Sequence, residues 1–183
     1  MQMISDNAIN DVCFDNNGGI VMTQREAVLE RLNTLGIPYE LVEHPAVFTI
    51  DEMERLGVTL DGEVVKNLFL RDAKKRRFFL VTVQKDKQVD LRRLGELLGA
   101  GRLSFASAEL LEQFLGLHQG EVTPMGVLND RDAKVEVVFD QDLEGHPRLG
   151  VHPNENTATL WMSYGDIRRV VEGNGNPFRC VRL

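Results

Sequence analysis

VVKNLFLRDAKKRRFFLVTV, residues 64–83, decides how the chain folds. Its two ends, VVKNLFL (64–70) and FFLVTV (78–83), are apolar, β-branched and aromatic, and RDAKKRR (71–77) between them is strongly basic. Two such runs joined by a short polar connection read as a β-hairpin. Upstream, Thr23-Gln-Arg-Glu26 has capping-box spacing, and Val28, Leu29, Leu32 and Leu35 recur at helical intervals until Gly36 and Pro38 stop the helix. YELVEH (39–44) reads as a strand, and Asp51–Leu56 as a short helix with acidic residues in its first turn.

Downstream, Asp90 can cap a helix through Leu98, ended by Gly99. LSFAS (103–107) reads as a strand, and Ser107 caps the helix AELLEQFLG. Strands are expected at KVEVVFD (134–140), ATLWM (158–162) and FRCVRL (178–183), with a last helix from Ser163 through Val171. Strands and helices interleave without a regular βαβ count. The expected fold class is therefore α/β (α+β mixed), a single compact domain whose central mixed sheet is flanked by helices. Residues 1–22 read as a poorly ordered polar tail, with 23–183 as the domain.

The 43% hydrophobic and 27% charged content over 183 residues is that of a folded chain with a full core. No apolar run approaches the roughly 20 residues that span a bilayer. The N-terminus lacks a basic region followed by an apolar core, so no signal peptide is expected and the location expected is cytoplasmic. Cys13 and Cys180 lack CxxC spacing and read as free thiols. A net charge of −7 argues against broad nonspecific nucleic-acid binding, but not against a local basic face. Residues 71–77, with Lys85 and Lys87, are the candidates for such a face, although a charge run is more often a solvated one.

The familiar catalytic signatures are missing: no GxSxG, P-loop, GxGxxG or HExxH occurs. The four histidines have no metal-ligand spacing, and no metal or cofactor is expected. Three local constellations remain. Lys66, inside an apolar strand, must snorkel, pair with an anion or face a cavity; a strand-end lysine reaching water is the plainer reading. Asn67 would point to the opposite face of a regular strand. GEVTPMG (120–126) can present backbone N–H groups to a carbonyl oxygen, or can simply join a helix to a strand. His152-Pro153 holds a histidine in an extended conformation, in a turn where most histidines are structural.

Taken in order, LGIPYELVEHPAVFTIDE, VVKNLFLRD, LSFASAELLEQFLGLHQGEVTPMGVLND and HPNENTATLWMS resemble the bacterial prolyl-tRNA synthetase editing-domain superfamily. This is the YbaK-like group, with its free-standing deacylases of the ProX type. The resemblance runs from about Thr23 to the C-terminus. It implies hydrolysis of alanine mischarged onto proline tRNA, with the tRNA acceptor end and prolyl-tRNA synthetase as partners. By residue, Lys66 matches the family's essential lysine, Asn67 the asparagine of the alanine-specific branch, Gly120 and Pro124 the ends of a GxxxP loop, and His152 the pocket histidine. Asn156 and Thr157 match the NTAT that follows.

The expected assignment makes Lys66, Gly120 and His152 catalytic. Asn67, Phe69, Pro124, Met125, Asn156 and Thr157 are expected to bind substrate, and Thr123 is read as loop filler. Family members often have an apolar residue after His-Pro, where this chain has Asn154. That leaves open a pocket for cysteine, serine or threonine, and a module that binds an aminoacyl nucleotide without hydrolysing it.

Overall fold

The computed structural model describes residues 13–14, 20–46 and 62–183. The helix expected over 51–56 lies outside the described residues, as does most of the segment read as a tail. Within that segment a short antiparallel pair joins β1 (Cys13–Phe14) to β2 (Ile20–Val21).

The hairpin forms as expected from β4 (Glu63–Asp72) and β5 (Phe78–Gln84), with Val65 opposite Gln84 and Arg71 opposite Phe78. Its turn is held by the Asp72 carboxylate, which accepts the backbone N–H groups of Arg76 at 2.7 Å and Arg77 at 3.2 Å. Around it grows a mixed sheet. β7 (Val135–Asp140) pairs parallel to β5, and β10 (Phe178–Val181) parallel to β7. On the other side β8 (Leu149–Val151) runs parallel to β4, followed by antiparallel β9 (Ala158–Met162) and β3 (Glu40–Glu43). β6 (Leu103–Phe105) also pairs with β4, antiparallel, through Leu70–Asp72.

Alternation along the strands divides the core between two faces. Val65 and Phe69 of β4, Phe78 and Leu80 of β5, and Val135, Val137 and Phe139 of β7 face one way. They meet α1 (Gln24–Thr34) through Val28 and Leu32, α3 (Ala108–Leu115) through Leu111 and Leu115, and α4 (Tyr164–Gly173) through Ile167, Val170 and Val171. Leu70, Phe79, Val81, Val83 and Val138 face the other way, covered by Leu94 and Leu98 of α2 (Leu91–Leu97) and its C-cap. Each α-helix among the described residues starts on the side chain that the sequence offers: Thr23 in a full capping box, then Asp90, Ser107 and Ser163. None of the described helices is long and apolar enough to cross a membrane.

Candidate active site

The candidate residues Lys66 and Asn67 lie where pairing along one edge of β4 is interrupted. On that edge β8 pairs with Glu63 and Val64, and β6 with Leu70–Asp72. Among the described residues no strand pairs there with Val65–Phe69. Lys66 and Asn67 occupy this interval, and the regular register sends their side chains to opposite faces.

Asn67 shares its face with Phe69 and ties the sheet to the connection after α3. Its Oδ1 accepts the Thr82 hydroxyl at 2.8 Å, and its Nδ2 donates to the Val122 carbonyl at 3.0 Å. Thr123 makes the next tie: its hydroxyl donates to the His152 carbonyl at 2.7 Å and accepts the Met125 N–H at 3.4 Å. Thr123 is fully buried, so the residue read as filler is instead the clamp between the GxxxP loop and the His152 loop. Pro124 then opens a 3-10 turn, Pro124–Asn129, where its missing N–H costs nothing. Gly120 is exposed and adopts φ +90°, a region glycine enters without penalty. The Glu121 N–H is donated to the His118 carbonyl at 3.1 Å. The N–H groups of Val122 and Thr123 meet no acceptor among the described residues.

His152 is half-buried, with Nδ1 at 3.2 Å from the Ala158 carbonyl. A carbonyl can only accept, so Nδ1 carries the proton and Nε2 keeps a lone pair. Burial lowers the imidazole below its ordinary value and the nearby His44 adds to this, while the Ala158 hydrogen bond and Glu121 act against it. His44 is buried and fixed at both nitrogens, Nδ1 at 2.9 Å from the Pro45 carbonyl and Nε2 at 3.0 Å from the Thr159 hydroxyl. His152 is therefore neutral near pH 7, with a lone pair on Nε2 that can accept a hydrogen bond.

The remaining expected residues distribute unevenly. Phe69 and Met125 are packed in the core, Phe69 stacking on Phe78 with ring centroids 6.1 Å apart. Pro124 and Asn156 are buried. Thr157 is exposed and donates its hydroxyl to Glu155 at 2.7 Å. Asn154 adopts φ +61° and is buried, its Nδ2 at 3.5 Å from the Gln24 Oε1 of α1. Lys66 lies on the other face, where its ammonium donates to the Lys87 carbonyl at 2.6 Å.

The basic segment is only partly available. Lys87 is held between Asp140 and Asp142; its own burial opposes the charge, yet the two carboxylates raise its pKa overall. Arg77 forms a two-pronged pair with Glu136 at 2.7 and 2.9 Å and lies over the Phe79 ring at 4.9 Å. Lys74, Lys75 and Arg76 are exposed. Thr82, Thr123 and His44 were the members hardest to find from sequence. Only the strand register puts Thr82 beside Asn67, and only tertiary contact puts Thr123 beside His152.

A family profile for the aminoacyl-tRNA editing domain matches residues 44–170, which include Lys66-Asn67, Gly120–Pro124 and His152–Thr157. Among curated relatives, the prolyl-tRNA editing protein ProX of Acetoanaerobium sticklandii is 47% identical over 162 residues, covering 88% of this chain and 99% of its own. The mouse prolyl-tRNA synthetase associated domain-containing protein 1 is 41% identical over 83% of this chain and 92% of its own. The proline–tRNA ligase of Lactiplantibacillus plantarum is 32% identical over 75% of this chain but only 25% of its own length. A crystal structure provisionally described as a trans-editing enzyme for prolyl tRNA synthetase superposes with TM-score 0.68 at 22% identity, covering 89% of this chain and 99% of that one, a likeness of fold. The chain belongs to the aminoacyl-tRNA editing domain family.

Proposed function

We propose that this protein is a free-standing deacylase that hydrolyses the ester of mischarged tRNA, with alanine on proline tRNA as its substrate. The observation that carries the reading is the pair of N–H groups at Val122 and Thr123, which meet no acceptor among the described residues, on a loop clamped by Asn67 and Thr123 beside a neutral His152. An ester carbonyl needs such donors when its oxygen becomes an oxyanion, and an aminoacyl ester is activated enough to need no covalent intermediate. Water bonds to the carbonyl carbon, the C–O bond to the terminal ribose breaks, and the ribose oxygen takes up a proton. The Nε2 lone pair of His152 orients the water, and the neighbouring ribose hydroxyl relays the proton. Gly120 allows the loop its turn, and Lys66 anchors a phosphate of the terminal nucleotide across the open edge of β4.

Such an enzyme has a physical reason to exist. A synthetase pocket built for proline cannot strongly reject a smaller side chain, because a missing methylene is worth only about 1–3 kcal/mol. A second pocket that admits alanine and excludes proline supplies the rest, and Phe69 and Met125 form the wall behind Asn67. Asn154, turned toward Gln24, gives no support to a polar side-chain pocket for serine, threonine or cysteine. Prolyl-tRNA synthetase, the source of the mischarged product, is the partner this activity implies. The test is release of amino acid from a panel of mischarged tRNAs. Ala-tRNA(Pro) should be hydrolysed and Pro-tRNA(Pro) spared; equal rates on both would end the size-sieve argument. No release from any member of the panel would favour a binding module.

A further inference from the structure

Lys66 shares its sheet face with Leu68 and Leu70 of β4 and, across the ladder, with Leu103 and Phe105 of β6. Along that face the surface changes from apolar core to something that solvent should not favour. Phe105 is 61% exposed and Leu97 of α2 is 47% exposed. Beside them lies a hollow of about 510 Å³ lined by Arg92, Glu96, Gly101, Arg102 and Leu103. Arg102 also lines a second hollow of about 310 Å³, with Arg71, Ala73 and Ser104, on the other side of the same short edge strand. Among the described residues Arg102 has no ion-pair partner, and Arg92 reaches only Glu96, at 3.4 Å on an exposed helix surface. In a protein of net charge −7, an exposed phenylalanine on a short edge strand whose flanking hollow is lined by Arg92 and Arg102 is complementary to a polyanion with unpaired bases.

From this we infer that the β6 edge docks the single-stranded 3′ end of the tRNA, with Phe105 stacking on an unpaired base and Arg92 and Arg102 holding the phosphates that lead to the acceptor stem. The inference rests on the deacylase reading for the identity of the strand. Phe105 stands opposite Leu70, three residues along β4 from Asn67 and four from Lys66. At about 3.3 Å per residue these are separations of roughly 10 and 13 Å, the span of a short run of nucleotides. The aminoacylated nucleotide lies on the Asn67 side of the open interval, its phosphate crosses to Lys66, and the preceding nucleotides run along the Lys66 face over Leu68 to Phe105. This path also gives a reason for Lys66 and Asn67 to point to opposite faces.

Fluorescence anisotropy with 5′-labelled uncharged tRNA(Pro), using the full chain, tests this directly. Base–aromatic stacking is worth about 1–3 kcal/mol, so Phe105→Ala should weaken binding at least about fivefold, and Phe105→Trp should restore it. Removing the 3′-terminal CCA from the tRNA should abolish the difference between wild type and Phe105→Ala. In hydrolysis of Ala-tRNA(Pro), Phe105→Ala and Arg102→Ala should raise KM with little change in kcat. Wild-type affinity and KM in both variants would overturn the inference. So would loss of a self-associated form in Phe105→Ala with tRNA affinity intact, since the exposed edge would then be a contact between copies. Phe105-dependent tRNA binding by an enzyme that hydrolyses no aminoacyl-tRNA would refute the deacylase reading and keep the docking surface. Hydrolysis that ignores both substitutions would do the reverse.

Discussion

His152 carries its proton on the nitrogen facing the Ala158 carbonyl, and burial keeps the other nitrogen unprotonated. That has a consequence for stability with a definite sign. The unfolded imidazole takes up a proton near pH 6.5, whereas the folded one resists until lower pH. Between those two values the unfolded chain binds more protons, so this group leaves stability intact above about pH 6.5 and erodes it as pH falls further, by at most ~1.4 kcal/mol per pH unit. Urea unfolding of wild type and His152→Gln from pH 7.5 to 5.5 should show the wild type losing more stability on the acid side. Parallel curves would mean that the ring is solvated and titrates normally. Lys66 and His152 stood out as candidates because a lysine in an apolar strand and a histidine before a proline are conspicuous locally, and Asn67 stood out beside Lys66. Thr82 and Thr123 were not: a threonine in VTV or VTP looks ordinary, and its partner lies 15 or 29 residues away.

At the scale of elements, backbone approach decides what is tolerated. Gly95 sits inside α2, where helix propensity alone would favour alanine by about 1 kcal/mol. A Cβ there would come within 1.9 Å of the Gly101 carbonyl oxygen, and backbone cannot move aside as a side chain can. Gly95→Ala should therefore destabilise by at least the ~1–3 kcal/mol of an overpacked core, reversing the propensity argument. Gly173, in the last turn of α4, would meet nothing within 4 Å, so Gly173→Ala should be neutral or mildly stabilising. Chemical denaturation of the two variants gives opposite signs if packing governs, and the same sign if propensity does. The hairpin and the capped helices were readable because a cap, a periodicity or a β-branched run announces them locally. β8 was missed: Leu149–Val151 is a strand only because β4 and β9 flank it, with Gly150 so close to Trp161 that a Cβ would lie 2.9 Å from the ring. The 3-10 turn at Pro124–Asn129 read as plain loop, since its geometry depends on the Thr123 clamp.

For the whole molecule, the net charge of −7 must be reconciled with a nucleic-acid substrate. The cations that looked most available in the sequence are partly neutralised internally: Lys87 by Asp140 and Asp142, and Arg77 by Glu136. What is left for phosphate is a narrow strip around β6 and Lys66 and the exposed Lys74, Lys75 and Arg76 of the β4–β5 turn, enough for the end of an acceptor arm and too little for a duplex-wide footprint. Counterion release makes that difference measurable. With about three or four phosphates neutralised, log K against log salt should have a slope of roughly −2 to −4. Arg102→Ala should make the slope shallower by about one while weakening binding at every salt concentration. Anisotropy titrations over a range of potassium chloride read both quantities from one data set. A slope steeper than about −6 would require phosphate contacts well beyond this strip and would place the body of the tRNA against another face. A shallow slope that Arg102→Ala leaves untouched would mean that the acceptor end is held by the pocket alone, with affinity coming from the terminal nucleotide and its amino acid.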